Sequence, residues 1–213
     1  MRILVIGAGG RTGRLIAEQA LGHGHDVRAF VRSTRPDIKH PRLEIVEGDV
    51  LEFADVDAAM EGVDAVAFAV SSGGNKSAGS KDVRTFSEGI GNVLHAMAAH
   101  DVAGIVAISA SGVFRRNDPA FSLAARTMMN TVLKSSYDDM ERMEQRIAAS
   151  GVAWTIVRPV GLSDGPQTGT YRLSLDGSLL KKTSRIARAD VAALALKALE
   201  TGAYERKTVV IAQ

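Results

Sequence analysis

The sequence predicts an α/β fold: a doubly wound parallel sheet (Rossmann fold) with helices on both faces and a small C-terminal substrate lobe. Three observations carry this. Short β-branched apolar runs alternate with longer stretches of helical period, the signature of repeated βαβ units. The first apolar run breaks into glycines and then becomes a helix, as at the nucleotide turn of such sheets. Two long loops, Ser71–Lys81 and Gly161–Arg188, follow predicted strands, where a doubly wound sheet forms its ligand crevice.

In chain order, RILVI predicts a strand at Arg2–Ile6, and helical spacing resumes over Arg11–Leu21 after the glycines. DVRAFV and LEIV predict strands at Asp26–Val31 and Leu43–Val46, followed by helical spacing over Val56–Met60. Ala65–Ala69 and Ile105–Ile108 are apolar strand runs on either side of a helix over Thr85–Ala99. Further on, Ser136–Ser150 reads as helix, Ala153–Val157 as strand, Asp190–Leu199 as helix and Thr208–Ile211 as strand. Within the lobe, QTGTYRLSLDGSLLKK predicts a small β-hairpin. Asp190 reads as the N-cap of the last helix, and Trp154 as a packing residue.

Composition narrows the function classes. At 213 residues and 46% hydrophobic content, a single domain spanning residues 1–213 is expected. The absence of cysteine excludes disulfides, thiolate metal sites and a thiol nucleophile, and with no leader-like segment it makes the cytoplasm the expected compartment. No apolar run approaches the ~20 residues of a membrane helix. The net charge is only +2, with scattered cations, which favours a small anionic ligand over nucleic acid. His23, His25, His40, His95 and His100 have no spacing that would set two on one helical face beside a carboxylate, so no metal is expected.

GAGGRTG places Gly7, Gly10 and Gly13 between a strand and a helix, with Gly9 in addition. The first glycine permits the tight turn, the middle one lets backbone approach a pyrophosphate, and the third lets helix and strand pack closely. Free N–H groups and the helix dipole then favour an anion at that helix start. No Gly-Lys-Ser/Thr follows, which excludes a Walker-type loop. At the end of the second strand, where an NAD site would carry an acid for the ribose hydroxyls, FVRSTR supplies Arg32 and Arg35. Guanidinium forks there suit a 2′-phosphate, hence NADP(H). EGDV puts Asp49 and Val50 where adenine would lie, with the carboxylate accepting from the exocyclic amine, and AVSSGGN, with Val70 and Ser71, would run beside the pyrophosphate and ribose.

These residues carry a resemblance. GAGGRTG, FVRSTR, EGDVLEFADVDAAMEGVDAV, SEGIGNVLHAMAAHDV, SGVAWTIVRPVGLSDGPQTGTYRLSLDG and RIARADVA fall in the order of the atypical short-chain dehydrogenase/reductase family. The chain resembles that family's single-domain NAD(P)H-binding group and is similar to its flavin reductase/biliverdin-IXβ reductase branch. The resemblance implies NADPH contacts from Gly7, Gly10, Arg11, Thr12, Gly13, Arg32, Arg35, Asp49, Val50 and Ser71, with the backbone of Pro159, Val160, Gly161 and Leu162 near the nicotinamide.

Most of that superfamily reduces carbonyls with a Tyr-x-x-x-Lys pair, in which the lysine lowers the phenol pKa. In SSYDDMERME, Glu141 stands four residues after Tyr137, and Met140 occupies the position that matches the family's lysine. Carbonyl reduction by that route is therefore in doubt. VAISASG keeps two hydroxyls, Ser109 and Ser111, of which Ser111 better matches the family's serine. The candidate catalytic residues are thus Ser111, Ser109 and Tyr137. A flavin, quinone or tetrapyrrole, being planar, can take hydride with water completing protonation, so the expected activity is NADPH-dependent reduction of such an acceptor. Phe114, Phe121, Met128 and Met129 lie near the expected crevice. The alternative is a non-catalytic NADP(H)-binding redox sensor or regulator. A monomer or small homo-oligomer is expected.

Overall fold

The computed structural model describes residues 1–71, 83–119, 121–178 and 185–213. Its elements are β1 (Arg2–Ile6), α1 (Arg11–Gly22), β2 (Asp26–Val31), β3 (Leu43–Glu47), α2 (Phe53–Met60), β4 (Ala65–Phe68), α3 (Thr85–Ala99) and β5 (Gly104–Ile108). They continue as α4 (Leu123–Asn130), α5 (Lys134–Ala149), β6 (Ala153–Pro159), β7 (Gly161–Ser163), β8 (Arg172–Ser174), β9 (Arg185–Ala187), α6 (Arg188–Thr201) and β10 (Lys207–Ala212).

The main sheet runs β3-β2-β1-β4-β5-β6-β10-β8, parallel except for β8, which lies antiparallel to β10. Strand β1 pairs with β2 through Ile3↔Val27 and with β4 through Ile3↔Ala65. The chain order therefore reverses at the β1/β4 seam, where carboxyl-end loops diverge and open a crevice. Alternation within β1 explains the two layers. Ile3 and Val5 pack into the core that α1 and α6 share, and Leu4 and Ile6 into the core beneath α2, α3 and α5. Both faces are apolar because helices cover both.

Two local expectations are corrected, for α4 and for Asp190. Helix α4 has no counterpart in the predicted elements. Only Met129 of its residues is buried, so it lacks the apolar stripe that identifies a helix, although Ser122 caps it by accepting the Ala125 N–H. The first limb of the predicted hairpin carries β8, which joins the main sheet beside β10, while β7 pairs in parallel with β9; residues 179–184, which the hairpin's second limb needs, lie outside those described. Asp190 is not the N-cap of α6, which is Ala187. Its fully buried carboxylate accepts from Thr168 N–H, Thr168 Oγ1 and Gly169 N–H, and so pins the lobe onto the helix.

Candidate functional site: a dinucleotide cleft and the carboxyl ends of two strands

The glycine turn is built by contact. Gly7 has φ +88°, and a Cβ there would lie 2.6 Å from the Ala69 carbonyl oxygen. A Cβ on Gly13 would lie 2.3 Å from the Gly7 carbonyl oxygen, so helix α1 can approach β1 only without a side chain there. Gly9, supernumerary in the motif, is equally constrained: its Cβ would meet the Thr34 carbonyl oxygen at 2.1 Å. Gly10 differs, because a Cβ there meets only the Gly7 carbonyl oxygen, at 3.3 Å. Its hydrogen-only side keeps a surface open rather than a contact close.

Helix α1 begins beside that surface with no side-chain cap and no acid in its first turn. The N–H groups of Arg11, Thr12 and Gly13 consequently have no intrahelical acceptor and suit an anion. The adjoining cavity, of about 250 Å³, gathers Gly7, Gly10, Arg32, Asp49, Val50, Val70 and Ser71 from the predicted set. It also includes Ser33, Thr34 and Thr85, which the sequence did not single out. Thr85 opens α3 far along the chain, so nothing local could flag it. Asp49 accepts the Leu51 N–H on one carboxylate oxygen, and the other has no partner among the described residues.

The two predicted arginines part company. Arg32 is exposed on the cavity wall and makes no hydrogen bond or ion pair among the described residues. Arg35 does not line the cavity, and its Nε donates to Glu47 at 2.7 Å. Arg11 likewise faces the lobe, pairing with Asp164 at 3.2 Å, and Asp164 also binds Arg188. Residues 72–75 of the AVSSGGN segment lie outside those described.

The NAD(P)H-binding family matches residues 7–202, from the first glycine of the turn to the end of α6. The chain belongs to this family. An uncharacterized chloroplastic protein of Arabidopsis thaliana is 30% identical over 94% of this chain, which spans 66% of that relative's length. An uncharacterized sugar epimerase of Bacillus subtilis is 28% identical over 94% of this chain and 88% of its own. A solved candidate NADH-flavin reductase of Streptococcus pneumoniae covers 100% of this chain and 99% of itself, with a TM-score of 0.77 at 22% identity. Such oxidoreductase-like and epimerase-like relatives accord with an atypical short-chain dehydrogenase/reductase. No helix among the described residues is long and apolar enough to cross a membrane.

In this NAD(P)H-binding chain, the remaining predicted residues gather at the carboxyl ends of β5 and β6, outside that cavity. The Ser111 N–H donates to the Pro159 carbonyl oxygen at 3.0 Å, bringing the serine beside the start of the 159–162 segment. Val160 donates to Ile211, and Gly161 and Leu162 belong to β7. The Ser111 side chain is 6% exposed and makes no hydrogen bond among the described residues. Ser109 is directed elsewhere: its hydroxyl donates to the buried Glu144 carboxylate, which also receives the Arg158 guanidinium, with Nε contacts at 3.0 and 3.1 Å.

The Tyr137 ring packs on Gly112, where a Cβ would come within 2.6 Å of its Cε1. Burial pushes its phenol above the usual value, and Arg116 offsets only part of that rise. Met140, at the lysine position, packs into the core beneath α5. Of the four apolar candidates, Phe114 and Met128 are exposed, Phe121 is half-buried, and Met129 is core. His23 and His25, whose spacing does not set them on one helical face, both contact Glu200, at 2.9 and 2.8 Å, through the turn after α1. Among the described residues no group of three ligands is arranged for a metal.

Proposed function

We propose that residues 1–213 form one domain acting as an NADPH-dependent oxidoreductase that delivers hydride to a flavin or similar planar acceptor. One observation carries this reading. Beside the dinucleotide cleft, the carboxyl ends of β5 and β6 offer a Ser111 hydroxyl with no partner among the described residues and the exposed side chains of Phe114 and Met128, but no tuned acid. The phenol of Tyr137 is driven upward by burial, and the position that matches the family's lysine holds Met140, packed against the core. Acceptors whose reduction depends on a strong enzymic acid are therefore disfavoured, and acceptors that water can protonate are favoured.

The fit to the dinucleotide rests on the side-chain-free approach at Gly10, the uncapped start of α1 and the cavity wall around Asp49. When bound, the nicotinamide supplies the hydride. The chain's own work is positional. The glycine turn holds the pyrophosphate, Arg32 selects the 2′-phosphate, Asp49 accepts from the adenine amine, and Ser111 with the Pro159–Leu162 backbone orients the reactive end. The flavin-reductase description of the pneumococcal neighbour supports this reading. The epimerase description of the Bacillus relative does not, because such chemistry relies on the Tyr-Lys pair that this chain lacks.

The experiment is NADPH oxidation, followed by its near-ultraviolet absorbance, with a panel of flavins, quinones and tetrapyrroles. Turnover with at least one planar acceptor is expected. Tight NADPH binding with no turnover on any of them would overturn the reductase and assign the protein as a redox sensor.

A further inference from the structure

A second cavity, of about 690 Å³, adjoins the carboxyl end of β5 and shares no residue with the dinucleotide cleft. Its wall grows directly from the Ser111–Gly112 turn, since Val113 N–H donates to the Ala110 carbonyl and Arg115 N–H to the Gly112 carbonyl. Phe114 forms the near side. Its φ of +62° and 49% exposure hold the ring outward, and the Arg158 guanidinium lies 5.3 Å from the ring centroid. The far side is polar, made of Arg115, Arg116, Lys134 and an Asn117–Asn130 amide pair, with Asp118, Asp138 and Glu141.

The formal charges of those side chains balance, but their placement does not. Arg116, only 15% exposed, occupies both Asp138 and Glu141, whose side chains are 28% and 29% exposed. Lys134, at 61%, shares Asp138. Arg115, at 42%, has Asp118 as its carboxylate partner, at a long 3.5 Å. Arg115 and Lys134 are thus more exposed than the three acids, whereas Arg116 is engaged below them.

Building on the reductase reading above, we propose that this cavity holds a terminal phosphate on the planar acceptor, gripped by Arg115 and Lys134. A guanidinium fork and an ammonium lining one cavity suit a phosphate monoester, whose charge outcompetes the long contact of Arg115 to Asp118 and shares Lys134 with Asp138, its partner at 2.5 Å. The preferred substrate class is then a phosphorylated flavin rather than its neutral parent.

The test is equilibrium binding of FMN and riboflavin to the NADP+-saturated protein, read by flavin fluorescence, for the parent and for Arg115→Gln and Lys134→Gln. Both positions are exposed enough to change without unfolding the chain, which circular dichroism checks. FMN should bind about tenfold tighter than riboflavin, and added salt should narrow the gap. Each variant should bring the ratio toward one. Equal affinities in the parent, or a preference that survives both variants, would overturn the phosphate site. FMN preference without hydride transfer would overturn the reductase reading and leave the site standing.

Discussion

Replacing Arg32 with alanine removes a guanidinium from the wall of the dinucleotide cavity. Because it has no carboxylate to leave among the described residues, its full hydrogen-bonding capacity is available to a 2′-phosphate. A hydrogen bond to a charged group contributes roughly 1.5–3 kcal/mol, which is about ten- to a hundredfold in affinity. Arg35 is differently placed. It must first release Glu47, its partner at 2.7 Å in an exposed pair, and gains correspondingly less. Calorimetric titration of NADP+ and NAD+ against the parent, Arg32→Ala and Arg35→Ala separates the two. The parent should prefer NADP+ by at least about tenfold, or ~1.4 kcal/mol. Arg32→Ala should erase most of that preference, and Arg35→Ala should change it by less than about threefold, as expected for an exposed ion pair. An unchanged ratio in Arg32→Ala, or an equal loss in Arg35→Ala, would refute the assignment of the phosphate to Arg32.

Gly10→Val should abolish dinucleotide binding by calorimetry with little change in melting temperature, since a Cβ there meets only one atom within 4 Å. Gly13→Ala should instead cost stability, about 1–3 kcal/mol for a side chain forced into a closed contact, because its Cβ would lie 2.3 Å from the Gly7 carbonyl oxygen. Tyr137→Phe should lower kcat/KM with FMN by much less than the ~10²–10⁴ that loss of a general acid costs. The raised phenol pKa also predicts that no limb of the pH–rate profile at neutral pH belongs to Tyr137. Asp139→Ala should lower the unfolding free energy by about 2–4 kcal/mol in urea. That fully buried carboxylate accepts the Phe86 and Ser87 N–H groups at the start of α3 and pairs with Arg142.

The alternation of strand and helix and the glycine turn were legible in the chain because their causes are local. An apolar run of period two faces two helical layers, and a strand that must turn at once into a helix needs glycine where φ is positive or a carbonyl stands too close for a Cβ. The sequence by itself therefore determined the α/β class, the position of the dinucleotide turn and the strand ends that carry Arg32, Asp49 and Ser111. Only the tertiary structure decided which of the flagged side chains are at liberty to meet a ligand. Arg35 was indistinguishable from Arg32 until β3 brought Glu47 beside it, Ser109 from Ser111 until α5 and β6 brought Glu144 and Arg158, and Asp190 from an N-cap until the lobe folded back. The physical reason is common to all three: backbone geometry depends on neighbours along the chain, whereas a side chain's charge and hydrogen-bonding capacity are spent on partners at 12, 35 and 22 residues' remove, which no local pattern encodes.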